Sequence, residues 1–384
     1  MNKVEERAFW LAWSQIPGIG PILLRRLEQH FGKLSVAWEA NAKALGQVEG
    51  FGRQIIDTVV RERSHFNLEM FLQEHSVKNP CFWTPADREY PRLLLEIPNP
   101  PPVLYYRGIV QVEENLGITP TVAIVGTRDP SEYGKRWTRK ITTVLAQKGF
   151  TIVSGMAEGI DTETHRACLE VGARTIAVFG TGVDIIYPPR NLKLYEEILT
   201  KGLVLSEYPS GIKPNRAHFP NRNRIIAGLS RAVLVMEAPT RSGALITARL
   251  ANEYCRDVYA LPGSLDNVRS HGCLGLLSKG AHLIINEGLL VEMLSGMPPV
   301  DSGNLSDLPL FSQQVTSHNQ QPLPKLEPQF HKILEAIDSE PTALDLIVQK
   351  TGFSAGEVLS SLLQLELMGL VSQLPGMRYQ RCSA

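Results

Sequence analysis

The chain has no surplus of charge. Its 384 residues carry 39 Lys and Arg against 39 Asp and Glu. A global basic field is therefore excluded, and any affinity for a polyanion must come from a local patch. Cysteine is scarce. The five copies (Cys81, Cys168, Cys255, Cys273 and Cys382) form no CxxC pair and no His/Cys metal spacing, the usage of a reducing compartment without a structural metal site. No apolar run reaches the length of a membrane span, and the opening MNKVEERAFWLAW has no signal-peptide core. The expectation is a cytoplasmic protein with no membrane span. Neither GxxxxGK[ST] nor a correctly spaced GxGxxG occurs, so P-loop and dinucleotide chemistry find no support and no cofactor is expected.

One further absence is local. From Ile212 to Arg231 there is no Asp or Glu, while Lys213, Arg216, Arg222, Arg224 and Arg231 are basic. Within this stretch lies FPNRNRIIAGLS, Phe219 to Ser230: a ring, two arginines around Asn223, then an apolar run that reads as a buried helix. Arginine forks suit phosphate oxygens and an aromatic ring offers a base a stacking surface. In a neutral chain this points to a local anionic ligand, most simply a polynucleotide strand.

The pattern divides the chain into four parts. Residues 1–78 repeat apolar positions at helical spacing, punctuated by IPGIG (Ile16–Gly20) and VEGFG (Val48–Gly52). This is a helical domain of helix-hairpin-helix or SAM-like type. A plain bundle with glycine turns is the alternative, favoured because Glu49 would stand where a phosphate sits. Residues 79–297 begin with a Pro-rich connector and one edge strand, Val103–Gly108, then alternate short apolar strands with helices. Such strands indicate a parallel sheet covered on both faces, an extended Rossmann-like α/β core. Residues 298–329, rich in Pro, Ser, Gln and Asn, read as a flexible linker. Residues 330–384 read as three helices and a strand pair, a winged-helix-like domain. Its third helix carries Glu357 and Glu366 but no Lys or Arg, so packing or protein interaction is weighed ahead of duplex reading.

In α/β sheets ligands bind beyond the carboxyl ends of the strands. The loops there are GTR (Gly126–Arg128), SGMAEGID (Ser154–Asp161), GTGVDIIYPPRN (Gly180–Asn191), EAPTRSGALITA (Glu237–Ala248) and LPGS (Leu261–Ser264). Glycine turns at helix starts present free amides to an anion. The candidate phosphate-binding set is Gly126, Thr127, Arg128, Gly155, Arg190, Lys213, Phe219, Arg222, Asn223, Arg224, Ser242 and Gly243.

These motifs, in this order, resemble the bacterial DNA-processing protein A family (DprA, also called Smf). The resemblance implies a protein that binds single-stranded DNA, protects incoming strands, forms a homodimer, and loads RecA recombinase in natural transformation, without catalysis. It implies that Arg128, Arg190, Arg222 and Arg224 hold phosphates and that Phe219 stacks a base. The alternative is an enzyme related to lysine-decarboxylase-like phosphoribohydrolases, with Glu237, Asp161 and Asp184 as candidate acids. His165, four residues past Asp161, would share its helix face.

Overall fold

The computed structural model describes residues 5–64, 66–297, 328–337, 342–367, 371–374 and 378–381. By their contacts they fall into two compact units, Met1–Asn304 and Leu305–Ala384.

In the first unit, amphipathic stretches give six helices: α1 (Glu6–Gln15), α2 (Pro21–Phe31), α3 (Leu34–Glu39), α4 (Ala42–Leu45), α5 (Arg53–Ser64) and α6 (Leu68–Lys78). Their own core gathers Trp10, Trp13, Leu24, Leu34 and Trp38. The acid of the second hairpin, Glu49, pairs with Arg26 at 3.2 Å. The helices also pack into the α/β part of the same unit. Leu11, Phe71 and Leu72 join a cluster with Phe82, Tyr105 and Tyr195, and Arg25 donates to the Ile97 carbonyl at 2.6 Å.

Apolar runs rich in Val, Ile, Leu and Ala form the buried central strands of a nine-stranded sheet. The nine strands in chain order are β1 (Phe82–Trp83), β2 (Leu104–Gly108), β3 (Thr121–Val125), β4 (Thr151–Ser154), β5 (Thr175–Phe179), β6 (Leu203–Ser206), β7 (Ala232–Val235), β8 (Asp257–Ala260) and β9 (His282–Leu283). The order across the sheet is β1-β2-β6-β5-β4-β3-β7-β8-β9. Strands β3 to β9 run parallel to their neighbours, while β2 pairs antiparallel with β6 and β1 with β2. The strand expected at the edge is thus covered by β1, whose two residues are too short to register as a periodic pattern.

The helices of this layer are α7 (Arg92–Leu95), α8 (Val112–Asn115), α9 (Glu132–Gln147), α10 (Ile160–Glu170), α11 (Leu192–Lys201), α12 (His218–Gly228), α13 (Gly243–Glu253), α14 (His271–Leu277) and α15 (Glu287–Ser295). They bury both faces of the sheet: Ile225, Ala227 and Ala248 on one side, Ile141, Leu145 and Leu290 on the other. The chain leaves β3 toward β4 in one direction and returns through β7 on its other flank. The loops after β3 and β7 diverge there, which opens a crevice at the carboxyl ends of both strands.

The second unit has α16 (Pro328–Ala336), α17 (Leu344–Thr351) and α18 (Ala355–Leu367) with a small antiparallel sheet. Ile333, Ile347, Leu362 and Tyr379 form its core. Ser354 and Glu357 cap α18 reciprocally: Ser354 N donates to Glu357 Oε2 at 2.9 Å and Glu357 N to Ser354 Oγ at 3.4 Å. The expected linker, 298–329, lies outside the described residues except for its last two positions, which open α16.

Candidate nucleic-acid interface

The crevice between the β3 and β7 loops is a cleft of about 650 Å³. Gly126, Thr127 and Arg128 form one wall, Arg241, Ser242 and Gly243 the other, and the first turns of α12 lie between them. Gly126 is required by close packing. A Cβ there would stand 2.9 Å from the Glu237 carbonyl oxygen and strike Ile160. Thr127 is pinned by backbone bonds, its N donating to Glu237 O at 2.7 Å and its O accepting from Ile160 N at 3.1 Å. Ser242 caps α13 by accepting from Ala244 N at 3.3 Å, and a Cβ at Gly243 would meet only open space. This places the amide end of an eleven-residue helix at the cleft rim, next to Arg241.

Helix α12 presents Phe219, Arg222, Asn223 and Ile226 to the cleft, the i, i+3, i+4, i+7 face of one helix. The half-buried Phe219 ring lies 5.4 Å from the exposed Tyr187 ring, and the Arg128 guanidinium stands 5.6 Å over it. Asn223 Nδ2 donates to Gly243 O at 3.2 Å and ties α12 to the opposite wall.

Two of the expected phosphate forks are engaged by the protein itself. Arg222 reaches the cleft floor but is only 4% exposed, and it donates to the carbonyls of Gly155, at 2.6 Å, and Val178. Desolvation pulls its pKa down to about 10, against the nearby Asp161 carboxylate, so it is still a cation at neutral pH. Arg224 is 7% exposed, does not line the cleft, and pairs with Glu207 at 2.5 Å. Two residues along a helix turn the side chain about 200°, so 222 and 224 cannot share a face. Lys213 is exposed but is not part of the cleft wall. Gly155 borders a small hollow next to it, and Arg190 borders a neighbouring depression.

The cations left free are Arg128, Arg216 and Arg241. All are exposed, and none forms an ion pair among the described residues. The only carboxylate among the cleft residues, Asp161, is buried near Arg222 and accepts from the Gly155 and Ala157 amides at 3.2 Å each. Arg216 stood in the acid-free run but outside the candidate set. Arg241 was missed altogether, although its place just before the Ser242 cap was a usable signal.

The remaining candidate acids are held in the scaffold. Glu237 accepts from Ser131 N at 2.7 Å, Ser131 Oγ at 2.7 Å and Asn267 Nδ2 at 2.9 Å, which fastens the start of α9. Asp184 accepts from Gly211 N. His165 does not meet Asp161. Its Nδ1 lies 2.7 Å from Thr175 Oγ1, which itself donates to Ile152 O, so the ring is the donor.

Residues 81–295 match the family model of DNA recombination-mediator protein A, and residues 317–377 match the DprA winged helix domain. Protein Smf of Synechocystis sp. is 54% identical over 98% of this chain and 99% of its own. The DNA processing protein DprA of Streptococcus pneumoniae is 47% identical over 56% of this chain and 73% of its own. An X-ray structure of the pneumococcal protein superposes with a TM-score of 0.65 at 35% identity, covering 76% of this chain and 98% of that one. A Helicobacter pylori DNA processing protein A structure, which concerns that protein's single-stranded DNA binding mode, gives a TM-score of 0.50 at 35% identity over 56% of this chain and 95% of that one. With its Rossmann-like sheet and a winged helix domain behind it, the chain belongs to the DNA recombination-mediator protein A family, known as DprA or Smf.

Proposed function

We propose that the cleft at the β3/β7 switch point binds single-stranded DNA. The observation that carries this reading is the set of three exposed arginines, Arg128, Arg216 and Arg241, unpaired among the described residues and lining one cleft with the half-buried ring of Phe219. Guanidinium groups without an acid partner favour phosphate oxygens. A ring face serves only a base that has left its stack, which favours a single strand over a duplex. The α13 amide end supplies a further phosphate seat beside Ser242 and Gly243. The Helicobacter pylori relative, whose structure concerns single-stranded DNA binding, supports the same assignment.

Family membership supports the wider reading. The protein protects incoming single strands and loads RecA recombinase in natural transformation, acts as a homodimer in the cytoplasm, and handles DNA without cutting it. In this reading Arg222 supplies fixed positive charge to the floor and Arg224 holds α12 in place.

The test is a salt-titrated binding comparison of an oligothymidylate of about 15 nucleotides with a duplex of equal length. The single strand binds more tightly, and each of Arg128→Ala, Arg216→Ala and Arg241→Ala reduces the logarithmic salt slope by about 0.7. Unchanged affinity in the triple variant would sink the reading. The loading step is read separately, as faster recombinase filament formation on strands first coated by a single-strand binding protein.

A further inference from the structure

Beyond Arg128 lies a second depression, of about 340 Å³, whose other cations are Lys135, Arg166 and Arg190. Unlike the cleft arginines, each of these is already paired: Lys135 with Glu132 at 2.7 Å, Arg166 with Glu163 at 3.6 Å, and Arg190 with Glu158. Glu158 stands between the two sites. It borders the second depression and also the small hollow formed with Arg128, Tyr187 and Phe219. The backbone fixes it there. A Cβ at Gly159, whose φ is +80°, would strike the carbonyl oxygens of Thr127 and Arg128, so the turn lies flush against the Arg128 segment. The Arg190 and Glu158 side chains are 64% and 39% exposed. A pair this open to water is weakly held and exchanges readily for another anion.

We propose that Glu158 is a latch on the strand's path: a phosphate passing Arg128 out of the cleft takes Arg190 from Glu158. This rests on the reading that the cleft binds single strands, and adds a second station that only longer strands reach. The latch sets a length threshold. A short oligonucleotide is held by the cleft alone, and Glu158 does not affect it. A longer one must displace the carboxylate, and salt weakens the Arg190–Glu158 pair as it weakens the phosphate contact, so this contact adds less to the salt dependence than an unpaired arginine would.

The experiment measures binding of oligothymidylates of about 4 and about 15 nucleotides by the full chain. Glu158→Gln keeps the reach of the side chain and removes its charge. It binds the longer strand about three- to fivefold more tightly at low salt. Its salt slope is steeper by up to about 0.7, because the Arg190 contact now forms with no ion pair to break. The short strand is unaffected. In an Arg190→Ala background the gain disappears. Equal binding of both strands by Glu158→Gln and wild type overturns the proposal, as does a gain that persists without Arg190 or that is the same for both lengths. Arg128→Ala in the same assay separates the two readings: if it too matches wild type, the cleft assignment has failed and not the latch alone.

Discussion

The Arg222 guanidinium occupies the space a side chain on residue 155 would need. Its Nη1 donates to the Gly155 carbonyl at 2.6 Å, and a Cβ on Gly155 would overlap the guanidinium. The glycine of the β4 loop and the arginine of α12 therefore form one structural unit beneath the cleft floor.

Gly155→Ala should push Arg222 off both of its carbonyls. Overpacking of this kind costs about 1–3 kcal/mol. Urea denaturation of the variant should show that loss in its midpoint. A midpoint equal to wild type would mean that Arg222 has room to move and is free to serve as a ligand.

Arg224 and Glu207 make the opposite case to the cleft arginines. Both side chains are mostly buried, and removing one leaves the other charge without a partner. Glu207→Ala should destabilise the fold by about 3–5 kcal/mol. Among molecules that remain folded, DNA affinity should be unchanged. Weaker binding with an unaltered melting curve would return Arg224 to the binding site.

Phe219 is placed to be read by binding as well as by stability. With Tyr187 against it and Arg128 above it, Phe219→Ala should lose about 1–3 kcal/mol of single-strand binding, and Phe219→Trp should keep it. Normal binding by a less stable Phe219→Ala protein would assign the ring to packing.

His165 makes stability depend on pH. Burial, and then the charge of Arg222, lower its pKa to about 3, whereas the unfolded residue titrates near 6.5. The unfolded state thus binds the extra proton between those values. The contribution is complete above about pH 6.5 and falls by up to about 1.4 kcal/mol per pH unit as pH drops toward 3. His165→Asn should flatten the dependence of unfolding free energy on pH by up to one proton. Parallel profiles for variant and wild type would contradict the assignment.

Much of this was legible in the chain because strand and turn chemistry is local. Apolar runs such as Val122–Val125 and Thr175–Phe179, short and rich in β-branched residues, read as buried strands, and the glycines after them mark loops at the carboxyl rim. β1 escaped because two residues carry no period. That Arg224 lies off the cleft face could have been read from helical spacing, since Phe219, Asn223 and Ile226 define a face that 224 does not share. The burial of Arg222 could not, because it depends on carbonyls contributed by β5 and the β4 loop.

The sequence by itself determined the architecture, the rim loops and the acid-free basic stretch, since period and turn residues act over a few neighbours. Tertiary structure decided which guanidinium groups are engaged by the protein and which are left unpaired among the described residues. That depends on which carboxylates and carbonyls the fold brings within reach: Glu207 and Gly155 engage two arginines of α12, and Arg128, Arg216 and Arg241 have no such partner among the described residues.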